Sequence, residues 1–147
     1  MGVCYYVRAG NDTYTDHGYL EISVGCDTAR VKEVITVILT ECKRLSTEMV
    51  SDEELKKVKE YMVGNMLLEL ESSDAYTYFY GGQAILRRTL RSPKEVEKKI
   101  RAVKAEEIRK VAKQVFVPSS LNLALIGPFT QKDEKEFTDL LSFIETL

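Results

Sequence analysis

Histidine occurs once in this sequence, at position 17. A catalytic zinc site usually draws on three protein ligands, mostly histidine with a carboxylate or cysteine, and neither H-E-x-x-H nor H-x-x-E-H occurs here. The chain alone therefore does not supply the usual catalytic zinc ligands. Cysteine is also scarce: Cys4, Cys26 and Cys42 stand singly, an odd count without C-x-x-C spacing. That pattern argues against a disulfide framework or a cysteine zinc site. It points to free, buried thiols in a reducing compartment, so the expected location is the cytoplasm. Apolar runs extend only a few residues, too short for a membrane-spanning helix. The stretch Met1-Gly2-Val3-Cys4-Tyr5-Tyr6 lacks the charged, apolar and cleavage regions of a signal peptide. Tyr at position 6 does not fit a myristoylation site either. Neither sign of charge dominates, with 21 basic and 23 acidic residues and a net charge of −2. Phosphate binding needs a basic excess on one face, so no nucleic-acid partner is expected.

What is present suits one domain: 147 residues, 44% hydrophobic and 30% charged, enough for a core and a solvated surface. Val3–Ala9, rich in aromatic and β-branched residues, reads as a strand. Gly10-Asn11-Asp12 reads as a turn. Gly18–Cys26 reads as a second strand, with Leu20, Ile22, Val24 and Cys26 on one side, making an antiparallel hairpin with the first. Asp27 or Thr28 can cap a helix whose stripe is Val31, Val34, Ile35, Ile38, Cys42 and Leu45. Ser51-Asp52-Glu53-Glu54 is a capping box opening a second helix, striped by Leu55, Val58, Met62, Met66 and Leu70. Ala75–Leu90 reads as a third helix, where Gly81-Gly82 suggests close packing or a kink, because glycine costs about 1 kcal/mol against alanine there. Pro93 opens a short helix. Ala105–Phe116 forms another, striped by Ile108, Val111, Ala112 and Val115. Leu121–Ile126 reads as a third strand closed by Gly127-Pro128, and residues 131–146 as a last helix with Phe137, Leu140, Leu141 and Ile144 inward. This order implies an α+β, two-layer fold: a small, largely antiparallel sheet with helices packed on one face. So narrow a sheet leaves open edges that a partner or further strands can complete.

Little in the chain carries chemistry of its own. Asp12, Asp16 and His17 share a polar loop, read as a solvated hairpin tip able at most to hold a surface cation weakly. A thiol nucleophile needs a cysteine beside His17, but Cys26 and Cys42 fall on the apolar faces of their elements. Glu53-Glu54 and Glu106-Glu107 sit in first helical turns, where the positive end of the helix dipole accounts for them. Arg87, Arg88, Arg91 and Lys94 form a local basic cluster near a helix end, suited to the dipole or to a partner's acidic surface. Tyr76, Tyr78, Phe79 and Tyr80 are too densely placed for one helix to bury all four rings. They are candidate interface residues or the lining of a peptide groove.

Several segments together resemble the insulinase/pitrilysin family of zinc metallopeptidases, which includes the mitochondrial processing peptidases. Gly2-Val3-Cys4-Tyr5-Tyr6-Val7 is similar to its "G-L-A-Y-x-V" strand, and Asp16-His17-Gly18-Tyr19-Leu20-Glu21-Ile22 to the strand that follows. Val50-Ser51-Asp52-Glu53-Glu54-Leu55 with Lys59 resembles "V-S-E-E-E-L-x-x-A-K", with Val58 in place of the family's Ala, and Leu68-Glu69-Leu70-Glu71-Ser72 resembles "L-x-L-E-S". Residues 103–112 resemble "V-T-A-E-D-V-x-x-V-A", with Lys104 for the capping Thr, and 121–128 resemble "L-x-L-x-x-I-G-P". The resemblance covers nearly the whole chain, in order. It implies the later part of the family's second, zinc-free domain, a single and partial C-terminal domain over residues 1–147. The zinc and its H-x-x-E-H motif then belong to a catalytic domain or subunit against which this one packs, forming one wall of a peptide chamber. No cofactor is implied in this chain, and no catalytic residue. In active members an Arg and a Tyr of the second domain assist the substrate carbonyl; the Tyr corresponds to Tyr5, and the Arg falls ahead of Met1. Read from its residue type alone, Tyr5 is an ordinary strand aromatic. The alternative is an inactive interaction or scaffold protein of the same fold. Self-association or partner binding through the sheet edge or the face around Tyr76–Tyr80 is expected of either.

Overall fold

The computed structural model describes residues 2–87 and 89–146, with side chains through residue 142. Arg88 and the side chain of Ile144, both singled out above, lie outside the described residues. The elements run β1 (Tyr6–Thr13), β2 (Gly18–Gly25), a 3-10 turn (Thr28–Arg30), α1 (Val31–Thr47), α2 (Asp52–Glu69), α3 (Ser73–Arg87), α4 (Pro93–Ala102), α5 (Ala105–Val115), a second 3-10 turn (Pro118–Ser120) and α6 (Gln131–Thr146). The class is α+β, and β1 and β2 pair as one antiparallel hairpin. The chain forms two compact units: residues Met1–Ala9, Ile22–Met49 and Glu106–Leu147 make the first, and Gly10–Glu21 with Val50–Ala105 the second.

In the first unit α1 buries Val34, Ile35, Leu39 and Cys42. These fall on one stripe at helical spacing. Ile35 and Leu39 meet Phe137 of α6, and Val31, Leu121, Leu125, Phe129, Leu140 and Leu141 pack around them. Phe129 meets Phe137 edge-to-face, at 5.3 Å between centroids and 85° between planes, the favoured arrangement of two ring quadrupoles. Gly127 is needed beside them, because a Cβ there would come within 2.6 Å of the Phe129 ring. Lys32 and Glu136 add an exposed ion pair across α1 and α6. The expected third strand does not form: residues 121–126 are extended but outside any sheet. Leu121, Leu125 and Phe129 fix that segment to the α1–α6 core, and no described strand offers it a hydrogen-bonding ladder.

In the second unit the Ser51 hydroxyl accepts the Glu54 amide at the start of α2. The fully reciprocal capping box stands instead at Ser92–Glu95, opening α4. α2 keeps part of its expected apolar stripe inward, with Leu55, Met66 and Leu70 half-buried, but its middle is turned. Val63 is its buried residue, whereas Val58 and Met62 are exposed. Beside Val63, Lys59 donates to the Arg101 carbonyl at 2.9 Å, and Arg101 pairs with Glu60 at 2.6 and 3.2 Å. α3 starts on the Ser72 hydroxyl, which accepts the Ala75 amide. It ends at Arg87, short of Leu90, and Gln83 then pairs with both the amide and the carbonyl of Arg91. The helix runs through Gly81 and Gly82, and a Cβ at either would meet open space rather than the close packing expected.

The hairpin departs from its sequence reading at the turn. Gly10, Asn11 and Asp12 lie within β1, and the chain reverses at Thr15–Asp16, where the Tyr14 amide reaches the His17 carbonyl at 2.9 Å. Aromatic stacking accompanies this register. Tyr14 lies on His17 at 4.6 Å and near Tyr19 at 6.3 Å, so a shorter hairpin would separate these rings.

Candidate functional site

Tyr5 stands just before β1. Its amide donates to the Gly25 carbonyl at 2.7 Å, fixing its backbone on the end of β2. The ring projects outward, 75% exposed, and its hydroxyl donates to the Asp27 carboxylate. That bond, followed by the charge of Asp27, raises the phenol above its ordinary value of 10.0. From the same short turn, Arg30 donates to the Gly2 carbonyl at 2.7 Å and pairs with Glu33 through Nε–Oε2 at 3.0 Å and Nη2–Oε1 at 3.1 Å. The pairing holds Glu33 below the usual carboxylate range and Arg30 above its own. Asp27 occupies the N-cap position of the turn, as the sequence suggested, but its side chain makes no capping bond. Sequence reasoning missed Asp27 as the neighbour of Tyr5. Neither motif nor periodicity links positions 5 and 27, and only the hairpin brings them together.

The aromatic cluster on α3 divides between its faces. Tyr76 and Tyr80 are near-parallel, 6.3 Å apart at 24°, and Phe79 meets Tyr80 edge-on at 5.2 Å. Phe79 and Tyr80 are half-buried, while Tyr78 is 83% exposed. A shallow depression of about 440 Å³ is lined by Tyr76, Thr77, Tyr80, Gly81, Ala84 and Leu90. Tyr78 lies outside that lining, so the four rings do not converge on one site.

His17 sits at the hairpin tip with Nδ1 2.7 Å from the Asp16 carboxylate. Tyr19 beside it is pushed up to about 12, first by its hydrogen bond with Asp12 and then by that with Tyr14. Among the described residues no three His, Cys, Asp or Glu side chains come close enough to share a metal. Cys42 is buried and Cys4 and Cys26 are half-buried free thiols, so Cys26 is less enclosed than its place on the strand implied. Among the described residues no helix is long and apolar enough to cross a membrane.

Residues 1–62 match the family described as the Peptidase M16 inactive domain. The chain is 31% identical over 126 residues to the mitochondrial-processing peptidase subunit beta of Mus musculus, a match covering 86% of this chain and 26% of the relative. It is 28% identical over 127 residues to a Bacillus subtilis (strain 168) protein described as the uncharacterized zinc protease YmxG, covering 86% of this chain and 31% of that one. The chain thus spans about a quarter of the length of the mitochondrial relatives it matches. Its fold is that of a chain in Complex III2 from Candida albicans, solved with Inz-5 bound, at a TM-score of 0.65, 23% identity and coverage of 74% of this chain and 26% of that one. By its inactive-domain match over residues 1–62 and its processing-peptidase and zinc-protease relatives, the chain is similar to members of the insulinase/pitrilysin family of metallopeptidases, and the match falls on the domain described as inactive.

Proposed function

We propose that this chain forms one wall of a peptide-binding chamber and packs on a zinc-bearing catalytic domain or subunit of its own family. The observation that carries this reading is the inactive-domain match over residues 1–62, the stretch that bears the exposed Tyr5. The relatives named as subunits of the mitochondrial-processing peptidase support a partner subunit. So does the apolar surface left open on the helices: Tyr61 and Leu68 on α2, and Tyr78 and Ile85 on α3, are each more than half exposed. In this reading the zinc and the hydrolytic water belong to the partner, and this chain contributes peptide contacts, Tyr5 first among them.

The test is reconstitution. The pure chain is expected to hold no stoichiometric zinc and to cleave no peptide. Mixed with a family domain carrying H-x-x-E-H, it should raise chelator-sensitive peptide cleavage above that of the zinc domain alone. Zinc binding with cleavage by the pure chain, or no gain on mixing, would overturn the proposal. A second reading, an interaction subunit without proteolysis, is favoured by the likeness of fold to a chain of Complex III2. It predicts stable association with a partner and no gain in cleavage.

A further inference from the structure

The aromatic cluster, the double glycine and the basic cluster are separate signals in the sequence, and in the structure they adjoin. Tyr76, Thr77, Tyr80, Gly81 and Ala84 of α3, with Leu90 beyond its end, line one shallow depression. Gly81 keeps it open, because a Cβ there would meet nothing within 4 Å. Leu90 is held at the edge by its neighbour: the Gln83 amide donates to the Arg91 carbonyl at 3.1 Å, and its oxygen accepts the Arg91 N–H at 2.9 Å. Arg87 continues the same side of α3, since positions 76, 80, 84 and 87 follow one another at helical spacing. Lys94 lies just past Leu90, in the first turn of α4. The helix dipole accounts for Arg87 at the end of α3, but not for Lys94, because a first turn favours anions. Both side chains are exposed. The nearby acidic residues are already engaged: Glu95 accepts the Ser92 amide and hydroxyl, and Glu97 accepts from Arg101. Among the described residues no carboxylate forms an ion pair with Arg87 or Lys94. At the opposite end of α3 the sign reverses, with Glu71 and Asp74.

We propose that this side of α3 docks a segment of a partner protein that carries an apolar anchor at one end and carboxylates at the other. The anchor fills the depression over Gly81, beside Tyr76 and Tyr80. The carboxylates lie over Arg87 and Lys94, and Glu71 and Asp74 repel the reverse orientation. Tyr80 and Arg87 are two helical turns apart, about 10 Å. An extended chain covers that distance in about three residues, which sets the spacing between anchor and first carboxylate. An anionic bilayer suits the face less well, because it would meet Glu71 and Asp74 as well as the cations. This surface goes beyond the chamber reading and needs neither zinc nor cleavage.

The test uses the pure chain, kept dilute, and fluorescence anisotropy of a fluorescein-labelled peptide, Phe-Leu-Gly-Ser-Glu-Glu-Asp. The peptide should bind saturably and weaken as salt is added, since its ion pairs are exposed. Arg87→Glu with Lys94→Glu should weaken it by roughly 2- to 30-fold, the span of two exposed ion pairs. Gly81→Leu fills the depression with a better helix former. It should weaken the peptide without lowering the urea midpoint, which separates a lost site from a lost fold. Unchanged affinity in Gly81→Leu would place the peptide elsewhere and overturn the proposal. Equal binding of Ser-Ser-Gly-Ser-Glu-Glu-Asp would mean attraction of charge without an anchor, and equal binding of Phe-Leu-Gly-Ser-Lys-Lys-Lys would remove the charge complementarity; either result sinks it. So would the absence of saturable peptide binding. If vesicles of phosphatidylcholine and phosphatidylserine bind instead, and the double charge reversal releases them, the face meets a membrane and the partner segment is ruled out. None of these outcomes bears on reconstitution with a zinc domain, so the two proposals stand or fall separately.

Discussion

Cys42 is the clearest single-residue consequence of how α1 packs. Its thiol is buried on the inner stripe of the helix, and burial, with a smaller push from the Glu41 charge, raises it above its ordinary value. The thiolate is the reactive form, so both exposure and charge state disfavour its reaction. Cys4 and Cys26 are only half-buried. Alkylation followed by mass spectrometry at mildly basic pH should therefore modify Cys4 and Cys26 well before Cys42, and unfolding with urea should abolish the difference. Equal rates in the folded chain would contradict the packing. The sequence foretold this thiol because Cys42 shares a helical stripe with Val34 and Ile35. Leu39, equally buried, was left off the expected stripe although it lies four residues after Ile35 and three before Cys42, and it packs with Ile35 and with Phe137 of α6. The partnership of Tyr5 with Asp27 was illegible for a different reason: it spans 22 positions, and local propensity carries no information at that range.

Helices were the more legible elements, because caps and apolar spacing are local signals. Ser51, Ser72 and Ser92 each cap the helix that follows them, the first as the sequence suggested. Which flank of a helix is buried proved less legible: α2 buries Val63, which lay off the expected stripe, and exposes Val58 and Met62, which lay on it, while Leu55, Met66 and Leu70 are half-buried. The residues at 121–126 have the alternation of a strand but lack a described strand to pair with. The double glycine of α3 gives a sharper test. It was expected to mark a kink or a tight contact, yet the helix continues through it and a Cβ at Gly82 meets nothing within 4 Å. With no packing reason for glycine, its backbone entropy in the unfolded chain is a plain cost to α3. Gly82→Ala should then stabilise the unit containing α3 by about 0.5–1 kcal/mol, read as a rise in the urea midpoint without a change in slope. A loss of stability would show that α3 needs the space in a packed state of the protein.

For the molecule as a whole, two properties follow from where its charges and apolar side chains lie. Glu33 is lowered by Arg30, Glu60 by Arg101, and Glu95 and Asp133 by the backbone amides of Ser92 and Thr130. Folded-state carboxylates lowered in this way stabilise the fold above the ordinary carboxylate range and lose that contribution as pH falls through their folded values. The urea midpoint should therefore hold down to about pH 5 and fall below about pH 4; a midpoint independent of pH over that range would mean the pairs contribute nothing. The second property is exposure. Tyr61 is 69% exposed, Leu68 68%, Tyr78 83% and Ile85 72%, all within the unit built from α2 to α4. Such side chains are normal singly, but Tyr61 and Leu68 on α2, and Tyr78 and Ile85 on α3, lie seven residues apart and so share one side of their own helix, an apolar surface that gains by being covered. The isolated chain should accordingly self-associate, its weight-average mass in sedimentation rising with concentration. Because the face is apolar, added salt should not disperse the association as it would an ion-paired one. Tyr61→Glu with Tyr78→Glu places charge on that face without touching Val63 or the Arg101 network, and should return the chain toward monomer with its helical circular dichroism unchanged. A zinc-bearing partner that covers the same face should compete with self-association, so mixing should replace chain oligomers by a mixed complex. A wild-type chain that stays monomeric at the highest concentrations would remove this face from consideration as a docking surface.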